Sequence, residues 1–332
     1  MNKLLQQTLA GDPLDPVDVR AAFNAIMDGQ AEPAWTGGWL IALQSRGVDA
    51  NTLSAAAMAM RERMKPILVE DPGTIVDTCG TGGSGSGTFN LSTAAALVVA
   101  ASGVRVVKHG NRRVSSLTGS ADVLEHLGVN LNADPKACLD AAGVCFAFAR
   151  NHHPAMATVA PVRQALGVRT VFNLLGPLCN PAGARRQLLG AGKRELVELM
   201  ADALLRLGAE HAWVVYGEDG QDDLSTAAPS RVAEVKDGEV RHWTFDPSPH
   251  GLSGTAADLQ ADGPEASAAM IRRVLDNEEG PARDAVCLNA AAALVIAGGA
   301  ADIEEGLATA RHALDTGRAA ETLDALATAS NA

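Results

Sequence analysis

From Asp15 to about Met64 apolar residues recur at helical spacing through three successive segments, PVDVRAAFNAIMDG, PAWTGGWLIALQSRG and DANTLSAAAMAMRERM. Each opens near Pro, Asp or Asn, and the first two close at Gly, the residue types that start and stop helices. The pattern predicts a small all-helical region. It changes at KPILVEDPGTIVDTCG, where a Pro-containing linker leads into a β-branched strand at about Thr74 to Thr78. Beyond that point short Val-rich runs (TIVDT, VRVVK, AWVVYG) alternate with Ala-rich helical stretches, the signature of a parallel sheet with helices on its faces. The chain closes in helices, NAAAALVIAGG and then DIEEGLATARHALDTGRAAETLDALA, with no repeat or low-complexity segment. The predicted class is α/β: a small all-helical domain joined to a larger, mostly parallel sheet flanked by helices.

A length of 332 residues fits about two domains at roughly 150 residues each. Aromatic residues make up only 3% against 47% hydrophobic residues overall, so Ala, Val and Leu must pack the core. Asp and Glu outnumber Lys and Arg by 39 to 27, a net charge of -12. That balance opposes attraction to nucleic acid or an anionic membrane, and any anionic ligand then needs a local basic patch. Cys79, Cys138, Cys145, Cys179 and Cys287 are scattered, with no CxxC pair, and are expected to be reduced thiols of a cytoplasmic protein. The N-terminal apolar stretch is too short for a secretory leader, and runs such as AAALVVAAS are too short to span a bilayer.

The richest chemistry lies in DTCGTGGSGSGTFNLSTAAALVVAASG, a strand, a loop with Gly80, Gly82, Gly83, Gly85 and Gly87, then a helix. Glycines permit positive φ and close backbone approach, and the helix start adds unpaired N–H groups and a positive dipole end. Such an assembly binds phosphate. GTGGSG also satisfies GxGxxG, but a dinucleotide site needs an acid at the end of the next strand. Lys108, His109, Arg112 and Arg113 stand there instead, followed by Ser115, Ser116 and Ser120, which points to a second anion site.

Two further segments carry polar candidates. His152 and His153 precede Arg163 and Arg169, without HxH or HxxxH metal spacing. Arg163 is either a surface cation or the planar fork that holds a carboxylate. After the strand AWVVYG comes a loop with Asp219, Asp222 and Asp223. It is either a solvated turn or a set of oxygen ligands through which Mg2+ bridges to phosphates. Neither GxSxG nor HExxH occurs, so acyl transfer and zinc hydrolysis lack support.

Taken together, the glycine loop with FNLST, KHGNRRVSS followed by GSADVLEHLG, HPAM, VRQALGVRTVFNLLGPLCNPAG, GQDDLS and NAAAALVIAG resemble the anthranilate phosphoribosyltransferases over essentially the whole chain. The resemblance implies transfer of a phosphoribosyl group from 5-phosphoribosyl 1-diphosphate to anthranilate in tryptophan biosynthesis. It implies a helical domain, residues 1–66 with an insertion near 165–185, hinged to an α/β domain of residues 67–164 and 186–332. It implies that Gly80, Gly83, Ser84, Thr88, Asn90, Leu91, Ser92 and Thr93 cradle the ribosyl diphosphate. Lys108, His109, Gly110, Asn111, Arg112, Arg113, Val114, Ser115 and Ser116, with Ser120, would close round its phosphates. Anthranilate would meet Gly80, Asn111 and Arg163, with His109 and His153 along its route, and Mg2+ would meet Ser92, Asp222 and Asp223.

No protein nucleophile is required, because the anthranilate amine attacks and diphosphate leaves, with Lys108 stabilising the departing charge. Two positions depart from the family pattern, Ser84 where it has Asp and Asp223 where it has Glu. The resemblance also implies a homodimer through the helical domain, and Trp35 with Trp39 is expected to face the partner subunit. The competing possibilities are an enzyme like the pyrimidine nucleoside phosphorylases and a non-catalytic ligand-binding paralogue, with a nicotinamide-dependent oxidoreductase the weakest.

Overall fold

Asp15 accepts a hydrogen bond from the Val17 amide ahead of Pro16, and Asp49 accepts one from the Thr52 amide. These caps start two of the N-terminal helices, which run Asn2–Ala10 (α1), Pro16–Met27 (α2), Pro33–Arg46 (α3) and Ala50–Arg61 (α4) in the computed structural model. The structure describes residues 1–112 and 118–332. The sequence pattern predicts α2 to α4 but not α1. Its Leu4 is buried and Thr8 accepts from the Trp39 indole N–H at 3.0 Å.

That contact corrects the expectation for the tryptophans. Trp39 is fully buried, with its ring centroid 5.0 Å from Phe23 and 5.2 Å from Trp35. It belongs to the interior of its own chain, because α1 folds over it and supplies the polar partner its N–H needs.

The strands are Ile75–Gly80 (β1), Arg105–Gly110 (β2), Val144–Phe148 (β3), Arg186–Gly190 (β4), His211–Gly217 (β5), Ser230–Lys236 (β6) and Glu239–Phe245 (β7). They form one sheet in the order β3-β2-β1-β4-β5-β6-β7. The first five run parallel, and β6 pairs antiparallel with both β5 and β7, so the mostly parallel architecture is confirmed. The first strand starts later than the sequence pattern predicts, because Asp71 caps a turn at Pro72–Thr74. The β6–β7 hairpin lies outside the predicted elements. Its turn uses Asp237 (φ 52°) and Gly238 (φ 78°), the Asp-Gly chemistry that suits a tight hairpin.

The sheet's layout places the crevice. From β1 the chain builds β2 and β3 on one side, then returns to place β4 on the other, so the order reverses beside β1. In open α/β sheets ligands bind outside the carboxyl ends of the strands at such a reversal. Here Gly80 lies opposite Gly190. A Cβ on Gly190 would stand 1.7 Å from the Asp222 carbonyl oxygen, so glycine there lets the acidic loop cross the sheet's rim.

Helix Leu91–Ala101 (α5) and the Ala-rich helix Pro281–Ala297 cover one face of the sheet. Small side chains let neighbouring helices pack closely; a Cβ on Gly306, in helix Ile303–Asp315, would meet Ala291 of Pro281–Ala297 at 2.9 Å. The other face carries helix Leu196–Arg206, and α2 to α4 join the same buried group. Helix Met156–Leu166 and the short helix Phe172–Leu175 pack there too, with Phe172 5.6 Å from Phe23. No helix among the described residues is long and apolar enough to cross a membrane.

Candidate active site

At the sheet's reversal a cleft of about 340 Å³ opens between the strand ends and helix Met156–Leu166. Its lining brings together many of the predicted residues: Gly80, Asn90, Ser92, Lys108, His109, Gly110, Asn111, Arg112, Ser120, His153 and Arg163. Gly83, Ser84, Thr88, Leu91, Thr93, Asp222 and Asp223 are not among its lining residues. Arg113, Val114, Ser115 and Ser116 lie outside the described residues.

The glycine loop leaves β1 with Gly82 at φ 62° and Gly83 at φ 84°, backbone that other residues rarely adopt. Arg169 spans from the second helical segment to this loop, its guanidinium donating to the carbonyls of Thr81 and Gly82 at 3.3 and 3.4 Å. A Cβ on Gly83 would stand 2.3 Å from that guanidinium. Past the loop, Asn90 accepts from the Thr93 hydroxyl at 2.8 Å and donates to Thr118 at 3.3 Å. Leu91 and Thr93 are buried first-turn residues of α5. Thr88 pairs with Gln260 and donates its hydroxyl to Ser86.

Lys108 is the deepest cation, 3% exposed. Its ammonium donates to the Thr78 carbonyl at 2.5 Å and the Ser92 hydroxyl at 3.0 Å. Burial pulls its pKa down, while Asp77, Cys79 and Asp223 oppose that shift. Beside it His109 and His153 face each other, Nε2 to Nε2 at 3.1 Å. Nδ1 of His109 lies 2.9 Å from the Gly176 carbonyl, which only accepts, so that nitrogen carries the proton. His153 then donates from Nε2, and its own Nδ1 is buried without a hydrogen bond. Burial first, then His153, pushes His109 down to about 3, and burial first, then His152, pushes His153 to about 4. Both rings are neutral at pH 7.

The arginines differ in their engagement. Arg112 forks onto Glu125 at 2.5 and 2.7 Å and reaches Asp122 at 2.9 Å, so its charge is balanced within the strand-to-helix corner. Arg163 is half-buried, and its partner among the described residues is the Phe172 ring, 5.8 Å from the guanidinium carbon. Burial lowers its pKa, and no carboxylate offsets that shift.

The acidic loop touches the glycine loop directly, for the Ser84 hydroxyl donates to the Asp222 carboxylate at 2.8 Å. Asp223, surrounded by protein on most sides, has its carboxyl pushed well up by burial and by the adjacent Asp222, with Lys108 opposing.

A family model described as the a/b domain of the glycosyl transferase family matches residues 72–320, and its helical bundle domain matches residues 2–64. The chain is 48% identical over 332 residues to the anthranilate phosphoribosyltransferase of Parvibaculum lavamentivorans, covering 99% of this chain and 97% of that one. It is 50% identical over 324 residues to that of Rhodospirillum rubrum, covering 96% and 93%. The chain belongs to the anthranilate phosphoribosyltransferase family. The crystal structure of the Thermus thermophilus enzyme superimposes with a TM-score of 0.91 at 44% identity, covering 99% of both chains. The Saccharomyces cerevisiae enzyme, determined in complex with PRPP and Mg, shares the fold with a TM-score of 0.90 at 24% identity, covering 99% and 97%.

Among members of this phosphoribosyltransferase family, the present chain lines its cleft with residues that sequence patterning does not single out. Arg150 stands exposed just after β3, and Thr81, Met60, Met156, Phe172 and Asn173 complete the walls. Met60 and Phe172 come from segments over a hundred residues apart, so no local pattern announces them. Arg150 sits at a strand's carboxyl end, a position whose general importance is legible.

Proposed function

We propose that the protein transfers the phosphoribosyl group of 5-phosphoribosyl 1-diphosphate to the amine of anthranilate, giving N-(5-phosphoribosyl)anthranilate and diphosphate, in tryptophan biosynthesis. The observation that carries this is the half-buried Arg163, which has no ion pair among the described residues and lies in the same cleft as the glycine loop. A buried guanidinium without a counter-ion favours an anionic ligand, and its planar fork matches a carboxylate. The cleft thus offers two anion sites of different kinds, one for phosphates and one for an aromatic acid. A pyrimidine base has no carboxylate to satisfy Arg163, which disfavours the nucleoside phosphorylase alternative.

In this mechanism the amine lone pair attacks the anomeric carbon as its bond to the diphosphate oxygen breaks. Gly80, Gly83 and Ser84 with the α5 start, from Thr88 and Asn90 to Thr93, hold the ribosyl diphosphate. Lys108 to Arg112 and Ser120 approach its phosphates. Asn111, Arg163, His109 and His153 hold and flank anthranilate. Lys108 places a fixed positive charge beside the strand ends, which favours the departing diphosphate. The neutral imidazoles give anthranilate a wall without competing charge.

Ser92, Asp222 and Asp223 present hard oxygen donors, and the Asp223 carboxyl, pushed up first by burial and then by the adjacent Asp222, is a group whose charged form a divalent cation would favour. The group fits Mg2+, which when bound supplies charge neutralisation on the diphosphate. The decisive experiment follows anthranilate fluorescence with 5-phosphoribosyl 1-diphosphate and Mg2+. Substrate-dependent loss of the anthranilate signal is expected, with EDTA suppressing it. Absence of turnover with Mg2+ present would refute the assignment.

We place the enzyme in the cytoplasm, consistent with five buried, unpaired cysteines, and assign it a homodimer through the N-terminal helices. The exposed Leu9 and Ile41 of α1 and α3 supply apolar surface for that contact, at 70% and 37% exposure. Sedimentation at micromolar concentration should give twice the chain mass; a monomer would sink the dimer.

A further inference from the structure

The ladder between β1 and β2 stops early. It pairs only Ile75 with Arg105 and Val76 with Val106, although β1 pairs with β4 as far as Gly80 and β2 with β3 as far as Gly110. These two strands therefore splay at the end that carries the cleft, freeing backbone groups that burial would otherwise leave unsatisfied. Side chains take those groups. The His109 amide donates to the Asp77 carboxylate at 3.0 Å, the Val107 carbonyl accepts from Asn180 at 2.8 Å, and the Thr78 carbonyl accepts from Lys108.

Asp77 and Asn180 are also joined to each other at 2.8 Å, and both are buried, at 0% and 5% exposure. Asn180 accepts from the Ala182 amide as well, so each polar atom of its amide is engaged. Asn180 belongs to the segment that returns from the second helical stretch to β4. Three successive carbonyls there, those of Gly176, Pro177 and Leu178, are held by His109, Gln187 and Arg61 from three different elements. Gln187 leans on the same Asp77 oxygen at 3.5 Å.

We infer that Asp77 and Asn180 form a polar wedge that holds β1 and β2 apart and so sets the distance between the glycine loop that leaves β1 and the Lys108 and His109 side chains at the end of β2. Neither residue lines the cleft; they are positioning residues. The wedge serves two substrates at once, because Lys108 belongs to the phosphate side and His109 to the anthranilate side. This rests on the function proposed above. Closing or tilting the splay leaves each substrate a site but misaligns the two, which lowers turnover more than binding.

The test compares Asp77→Asn, Asn180→Asp and the double exchange, in the full-length protein. Each single change sets like groups face to face, two amides or two carboxylates; the double variant restores a donor against an acceptor between positions 77 and 180 but leaves the Val107 carbonyl facing a carboxylate. Each single variant should lower kcat by about tenfold or more, with each substrate's separately measured Kd within about threefold of wild type. The double variant should recover part of the loss and exceed Asn180→Asp, a coupling expected of residues in contact.

Amide hydrogen exchange at His109, slow in wild type, should accelerate in both singles and slow again in the exchange. This readout needs no turnover, so it tests the wedge even if the substrate assignment fails. Should Asp77→Asn not fold, Asn180→Ser, which shortens the wedge without adding charge, must show the same split between kcat and Kd. Unchanged kcat, a parallel loss of affinity for both substrates, or a double variant no better than the worse single would overturn the wedge.

Discussion

Replacing Lys108 by methionine should lower kcat by roughly 10²- to 10³-fold, the range found when a preorganised electrostatic group is removed from a reaction centre, while KM for anthranilate changes little. Methionine preserves the length and burial of the side chain and removes only its charge and donors. The ammonium is 3% exposed and held by Thr78 and Ser92, so no other group can move into its place. Its charge acts in a site largely closed to water, where it is worth far more than at a surface.

Replacing Arg163 by alanine should produce the complementary pattern. KM for anthranilate should rise about 10- to 100-fold, as expected for a lost charged hydrogen bond, with KM for 5-phosphoribosyl 1-diphosphate nearly unchanged. The two variants together divide the cleft. If Lys108→Met costs anthranilate affinity and Arg163→Ala costs ribosyl diphosphate affinity, the assignment of sides is reversed; if each moves both constants equally, there are no separate sides.

The parts of this site that were legible in the sequence are those made by one continuous stretch. A glycine loop between a strand and a helix announces its phosphate chemistry because strand, loop and helix start are neighbours in the chain. The same holds for the basic corner after β2, although its Arg112 proves to be occupied by Glu125 and Asp122 of the following helix. Contacts closed by the tertiary fold were not legible. Arg169 reaches the glycine loop across 87 residues and Ser84 meets Asp222 across 138, and no periodicity encodes either.

Asp77 illustrates a different difficulty. In TIVDT it looks like the polar member of a strand, where alternation would send it to solvent. Its burial becomes intelligible only once β2 and the segment around Asn180 are in place to satisfy it. Trp39 misleads in the opposite direction, for an aromatic pair in an amphipathic helix suggests an exposed face until α1 is seen to cover it.

Acid should destabilise the protein well before its carboxylates are generally protonated, and the histidine pair is the main cause. Free histidine titrates near 6.5, whereas His109 is held at about 3 and His153 at about 4. Below pH 6.5 the unfolded chain therefore takes up protons that the native state refuses. The stability these neutral rings carry is complete above the unfolded pKa and falls as pH drops toward the folded values. At pH 5 the loss amounts to roughly 2 kcal/mol for each ring, about 4 kcal/mol for the pair.

The geometry explains the refusal. A first proton requires His153 to carry hydrogen at Nδ1, a buried nitrogen without a hydrogen bond, and a second sets two N–H groups head-on across 3.1 Å. Buried Asp77 and Asp223 work with the opposite sign, since their raised pKa values favour native protonation as pH falls. A comparison of variants separates the contributions. The urea midpoint of wild type should fall steeply from pH 7 to pH 5, and His109→Gln with His153→Asn should flatten that fall while lowering the midpoint at pH 7. A wild-type midpoint that stays level over this range, or a slope unchanged in the double variant, would show that the pair accepts protons in the native state and that the cleft wall is charged.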